Sequence, residues 1–152
     1  IDSLIEQAMA ANTPYAKTFQ VHFALKETIP NAWVYADSDR LLQVLTNLLS
    51  NAVKFSPQGA SIDICLSRHD SQLKVTIQDY GSGIPEEFQS RIFQKFSQAD
   101  SSDTRQKGGS GLGLYISQSI IKKHNGLIGF QSKWGEGTVF YFELPEYKQG
   151  EE

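Results

Sequence analysis

Cysteine is almost missing from this chain: Cys65 stands alone among 152 residues. One thiol excludes a disulfide framework and a thiolate metal centre, and it fits a reducing compartment. Its alternating surroundings place it on a strand wall. Long apolar runs are also missing. None approaches the roughly 20 residues that span a bilayer, and the first residues lack the basic-then-apolar pattern of a secretory leader. Neither sign of charge dominates, since 14 Lys and Arg stand against 17 Asp and Glu for a net charge of −3. That balance gives no basic footprint for nucleic acid. With 39% hydrophobic and 20% charged residues in patterned segments, the chain is a globular domain rather than a disordered one. It is long enough for a single domain over 1–147, too short for two, and ends in a frayed tail over 148–152. The first residues are already in helical pattern without an initiating methionine, which reads as a fragment of something longer.

The chain is punctuated clearly. Residues 3–12 read as a short helix stopped by Asn12, Thr13 and Pro14. Phe19 to Leu25 alternates as a strand and Ala32 to Tyr35 as a second, shorter one. Asp37, Ser38 and Asp39 supply cap oxygens for a helix running to Phe55, where Ser56, Pro57, Gln58 and Gly59 break it. Ser61 to Ser67 and Leu73 to Asp79 form a hairpin about the polar turn Arg68 to Gln72. Ile84 to Phe93 is expected as a helix with Pro85 in its first turn. From Gln94 to Gly109 apolar periodicity stops, leaving a lid-like loop of about 15 residues. Ser110 to His124 returns to helical period and Asn125-Gly126 ends it. Leu127 to Lys133 and Thr138 to Leu144 pair around Trp134-Gly135-Glu136-Gly137. This order predicts an α+β two-layer α/β sandwich: a mixed, mostly antiparallel sheet covered on one face by helices.

The helix ending at Phe55 has an unusual polar face. At 100° per residue, Asn51 lies about 40° round from Asn47 and Lys54 about 20° the other way. Leu41, Val44, Leu45, Leu48 and Ala52 make the opposite, core-facing stripe. Two carboxamide oxygens beside one ammonium would suit a hydrated divalent metal that already holds phosphates. Further on, Asp79 ends a strand and leads into Tyr80-Gly81-Ser82-Gly83-Ile84-Pro85. Such an acid can accept from an exocyclic amine, or simply cap its own turn. A third glycine would be needed at Glu86 for a dinucleotide fingerprint. Gly108-Gly109-Ser110-Gly111-Leu112-Gly113-Leu114 opens the next long helix, where exposed N–H groups attract anions, although a flexible hinge has the same composition. It is not a Walker A loop, because Lys107 precedes the glycines.

In order and spacing these segments, over essentially the whole chain, strongly resemble the ATP-binding catalytic domain of two-component sensor histidine kinases, of the superfamily shared with gyrase, heat-shock chaperones and mismatch-repair ATPases. The N box is matched by Asp39 through Asn47 and Asn51 to Phe55. Asp79 through Pro85 and Gly109 through Leu114 match two glycine boxes, Ile92 to Phe96 the F box, and Gly135 to Thr138 the last glycine motif. The resemblance implies a Bergerat-type ATP-binding fold with ATP and Mg²⁺ as cofactors. Asp79 would bind the adenine amine, Phe55 would pack near the base, Gly81, Gly83, Phe96 and Thr138 would also contact ATP, and Ile84 and Leu112 would be pocket wall or plain core. Asn51 would hold Mg²⁺, with Asn47 beside it and Lys54 reaching phosphate. Gly109, Ser110, Gly111, Leu112, Gly113 and Leu114 would wrap the triphosphate. Arg105 and Lys107 in the lid would meet its outer phosphates, and Phe93 and Phe96 would root the lid or pack in the core.

Gyrase-like ATPases carry a water-activating Glu where this chain has Asn47. A carboxamide cannot serve as general base, so the γ-phosphate should survive for a better nucleophile, and Asn47, Lys54 and Arg105 would act by position and charge. In this family the nucleophile is a histidine on a separate dimerisation domain. None of His22, His69 and His124 has that context: the expectation is a strand residue, a solvated turn residue and a helix-end cation. The implied partners are that domain of the same parent and, through it, a response-regulator receiver; the isolated piece would be a monomer that does not phosphorylate itself. The resemblance implies a cytoplasmic domain and leaves open whether its parent is anchored in the inner membrane. Gln98 to Ser102 with Thr104-Arg105 looks most like hybrid sensor kinases. Rival readings are a free-standing serine-kinase anti-sigma factor, a gyrase- or chaperone-type ATPase, and a nucleotide-binding switch without catalysis.

Overall fold

The computed structural model describes residues 1–94 and 113–148. Helix α1 runs Asp2–Thr18, six residues past its expected end at Asn12, with Pro14 inside it. The presumed breakers bond back onto the helix. Asn12 Nδ2 donates to the Ala8 carbonyl at 2.8 Å and Thr13 Oγ1 to that of Met9 at 2.7 Å. Burial of Ala16 and an edge-on Tyr15–Phe19 ring pair at 5.1 Å hold the last turn and offset the bond Pro14 cannot make. Gln20, left-handed at φ 56°, ends it. Strand β1 is therefore His22–Glu27, three residues later than expected, because Phe19 closes the helix. Ala32 to Tyr35 is not a strand: it has a lone bridge, Val34 to Glu146, while the Trp33 carbonyl accepts from Tyr147 N–H at 2.7 Å and the Ala32 carbonyl from the Ile1 ammonium at 2.6 Å.

Helix α2, Ser38–Phe55, starts where the cap oxygens predict. The Asp37 side chain accepts from the N–H groups of Asp39 at 3.0 Å and Arg40 at 3.3 Å. Its stripe of Leu41, Val44, Leu45, Leu48 and Ala52 is buried, joined by Leu49 and Val53. Strands β2 (Ser61–His69) and β3 (Gln72–Asp79) form the expected hairpin, with the turn tightened to Asp70-Ser71. Helix α3 is only Glu86–Gln89, shorter than the predicted Ile84 to Phe93. Its start is delayed because Ile84 gives its N–H sideways to Ser132 and Pro85 stays extended at ψ 138°. Helix α4, Gly113–Lys123, is closed by left-handed Asn125; its expected beginning at Ser110 lies outside the described residues. Strands β4 (Leu127–Lys133) and β5 (Gly137–Pro145) complete the sheet.

The sheet order is β1-β2-β3-β5-β4, with β1 parallel to β2 and every other pairing antiparallel. This is the predicted α+β sandwich. Alternate residues Ile62, Ile64, Leu66, Leu73, Val75, Ile77, Phe140, Phe142 and Leu144 are buried against the helices, which is the period-two signature of a sheet covered on one face. Cys65 lies half-buried between two of them on β2, on the other side of that alternation. Among the described residues no helix is long and apolar enough to cross a membrane. Helix α2 lies at the centre, touching α1, α4 and β3.

Candidate functional site

The strand end at Asp79 places a carboxylate where water barely reaches, with 2% of the residue exposed. Burial raises its pKa to about 6, against hydrogen bonds from the backbone at Gly81 and Thr138 that favour the charged form. The Gly81 N–H lies 3.0 Å from Oδ1. Gly81 has no room for a side chain, since a Cβ there would collide with the Phe55 carbonyl. The last residue of α2 and the loop after β3 thus meet backbone to backbone. Gly83 is left-handed at φ 83°, and its Cβ would lie 2.5 Å from the Lys133 carbonyl. Gly137 (φ 112°) would drive a Cβ into the Asp79 carbonyl. These three glycines are required by close approach, as well as by conformation at Gly83 and Gly137.

Along α2, Asn47, Asn51 and Lys54 are half-buried and Phe55 is exposed, in keeping with an outward polar face. Asn47 Nδ2 donates to the Gly113 carbonyl and to Ser117 Oγ, both at 3.3 Å. The Gly113 carbonyl can only accept, which fixes the amide with its nitrogen toward α4 and its oxygen away from those bonds. Gly113 is close enough that its Cβ would make ordinary contact, 3.6 Å, with Asn47 Cγ. Burial pushes the Lys54 ammonium below its ordinary pKa. From Asn47 to Phe55 the helix advances about 12 Å, so one element joins the Asp79 loop at its end to the first turn of α4 at its middle.

Ile84 is buried in the core, Thr138 is buried beside Asp79 on the paired strand, and Leu114 is half-buried against the core. Phe93 packs on Phe130 with ring centres 5.9 Å apart. Phe96, Arg105, Lys107, Gly109, Ser110, Gly111 and Leu112 lie outside the described residues, as does the expected lid. Among the described residues no group of three or more His, Cys, Asp or Glu could hold a metal. A metal carried in by phosphates needs few protein ligands, and the carboxamide of Asn51 on the outward face fits that demand.

Two residues of this region were not legible as functional. Ser117, wholly buried, sits on the apolar stripe of α4 between Gly113 and Ile121; a hydroxyl on such a stripe needs a partner, and Asn47 is that partner. Ser132 on β4 takes the Ile84 N–H at 2.7 Å and lies 2.9 Å from Thr138 Oγ1, and no sequence pattern marks it. The histidines stand apart. His22 and His69 are exposed. His124 follows the last turn of α4, where Nδ1 lies 2.8 Å from the Ile120 carbonyl and the Asp37 N–H donates to Nε2 at 3.1 Å.

Residues 36–148 match the family model described as "Histidine kinase-, DNA gyrase B-, and HSP90-like ATPase". The chain is 40% identical over 141 residues to the signal transduction histidine-protein kinase BarA of Escherichia coli K12, covering 90% of this chain and 15% of that protein. Its fold is similar to the nucleotide-free catalytic domain of histidine kinase ThkA, with a TM-score of 0.82, 29% identity and 95% and 91% of the two chains covered. It is also similar to full-length ShkA in complex with AMPPNP, with a TM-score of 0.83, 30% identity and coverage of 97% of this chain and 30% of that one. The chain spans about a seventh of the length of the BarA relative.

Proposed function

The chain belongs to the histidine kinase-, DNA gyrase B- and HSP90-like ATPase family, and from that premise we propose that it binds Mg-ATP and donates the γ-phosphate to a histidine on a dimerisation domain of its parent sensor kinase. The observation that carries this reading is the buried Asp79 carboxylate, held by the Gly81 and Thr138 backbone beside three glycines that admit no side chain. A base with an exocyclic amine offers Asp79 the donor that its burial has taken from it. Lys54, half-buried at cost to its charge, gains from a phosphate nearby.

Asn47 favours transfer over hydrolysis. Its amide nitrogen is committed to α4, and a carboxamide takes no proton from water. The γ-phosphate waits for a histidine nitrogen, which forms the N–P bond as the bridging P–O bond to the β-phosphate breaks and the electron pair leaves with ADP. Asn51 would hold Mg²⁺, which when bound neutralises phosphate charge. Asn47, Lys54, Arg105 and Lys107 would orient the triphosphate, and Gly109 to Leu114 would surround it. A response-regulator receiver would then draw the phosphoryl group from the histidine.

The test is transfer from γ-labelled ATP to a separately purified dimerisation domain of a related kinase. Acid-labile label on that domain, dependent on this chain, supports the proposal. Binding of ATP without transfer to any such acceptor leaves the nucleotide switch as the better reading.

A further inference from the structure

The side chain of Ser132 touches two segments beside Asp79, the loop after β3 and the start of β5. Its oxygen accepts the Ile84 N–H at 2.7 Å, lies 2.9 Å from Thr138 Oγ1 and 3.3 Å from the Gly137 carbonyl. A serine hydroxyl has one proton and two lone pairs. All three contacts are satisfied together in one arrangement: Ser132 accepts from Ile84 and from Thr138, and donates to Gly137. Its capacity is then full, and the Thr138 hydroxyl proton is committed to Ser132. Gln89 reinforces the same junction, its Nε2 donating to the Ile84 carbonyl at 3.1 Å and the Ser132 carbonyl at 3.4 Å. Gly83 lets the loop approach, since a Cβ there would sit 3.2 Å from Ser132 Oγ.

We propose that Ser132 is a positioning residue for nucleotide-base recognition: it clasps the loop from Gly81 to Pro85 to the β4–β5 hairpin and turns the Thr138 hydroxyl into an acceptor beside the Asp79 carboxylate. The inference rests on the nucleotide reading above and deepens it. Two adjacent acceptors favour a base edge that presents an amine and disfavour one that presents a carbonyl. Without the Ser132 hydroxyl, the Thr138 proton is released to donate, the Ile84 N–H loses its partner, and the preference narrows.

The experiment is titration of the whole chain, wild type, Ser132→Ala, Ser132→Cys and Ser132→Thr, with ADP and with inosine diphosphate, which carries a carbonyl where adenine has its amine. The expected result is about tenfold weaker ADP binding by Ser132→Ala with a comparable fall in the ADP-to-inosine preference, while Ser132→Thr keeps both. Ser132→Cys fills the same space with a poor hydrogen-bonding group and must show the same narrowing, so a failure of the alanine variant to fold leaves the inference testable. An unchanged ratio in the folded variants, whether affinity falls or not, overturns it by showing a role in stability alone. Wild-type chain that binds no ADP, or Asp79→Asn that binds it undiminished, overturns the nucleotide reading instead.

Discussion

The carbonyl of Phe55 occupies the space that a side chain on Gly81 would need, so the end of α2 and the loop after β3 meet with no atoms between them. This contact couples the helix bearing Asn47, Asn51 and Lys54 to the strand end bearing Asp79. Gly81→Ala must therefore push backbone against backbone, and neither side yields as a flexible side chain would. A loss of about 2–4 kcal/mol is expected, together with loss of nucleotide binding, measured by denaturant unfolding and by ADP titration. Wild-type stability in this variant would contradict the packing.

Gly59 isolates conformation from crowding. It is left-handed at φ 87°, yet nothing lies within 4 Å of its Cβ position. Gly59→Ala is expected to cost only about 1–2 kcal/mol, with ADP affinity unchanged. A melting comparison of the two alanine variants checks the contrast.

Asp79 makes stability depend on pH. Its pKa is raised from 3.8 to about 6, so the folded state holds a proton that the unfolded state releases. The stability this group contributes is fully present below pH 4 and is lost as pH rises through about 6, on the order of 3 kcal/mol in all. Asp79→Asn removes the charge and should lack this slope, gaining on wild type between pH 4 and 7 in ligand-free unfolding. Bound amine donors favour the carboxylate, so ADP affinity of the wild type should fall as pH drops below about 6. Parallel unfolding profiles for the two proteins would show that Asp79 is not desolvated.

Asn47 joins two helices through one amide. Asn47→Ala removes bonds to the Gly113 carbonyl and to buried Ser117, leaving the hydroxyl without its partner, and should cost about 1–3 kcal/mol. In a double-mutant cycle with Ser117→Ala the two losses should be strongly non-additive. Additive losses would mean the pair does not interact in solution.

How legible the fold was depended on the period of each segment. Helix α2 and the two hairpins were readable because strong 3.6 and 2.0 periodicities coincide with caps and turns that agree with them. The end of α1 was not, because Asn12 and Thr13 have a helix-breaking sense in local pattern, while here their side chains bond to Ala8 and Met9. The local pattern puts Ile84 in a helix, yet its N–H goes to Ser132, 48 residues away in sequence, and local pattern cannot report such a partner. The same limit hid Ser132. Ser117 left a trace as a hydroxyl on an apolar stripe. Asp79, Gly81 and Gly83 were legible as a group, since an acid at a strand end followed by spaced glycines has a chemical use as well as a structural one.

On the proposed reading, α2 and the Asp79 loop form one nucleotide site. The most direct measurement is titration with ADP and an ATP analogue, with and without Mg²⁺, of the wild-type chain, Asn51→Ala and Asp79→Asn. Saturable binding is expected that weakens at least tenfold in Asp79→Asn, with a metal-dependent part that disappears in Asn51→Ala. No binding to the wild type at millimolar nucleotide, or equal binding by all three proteins, would contradict it.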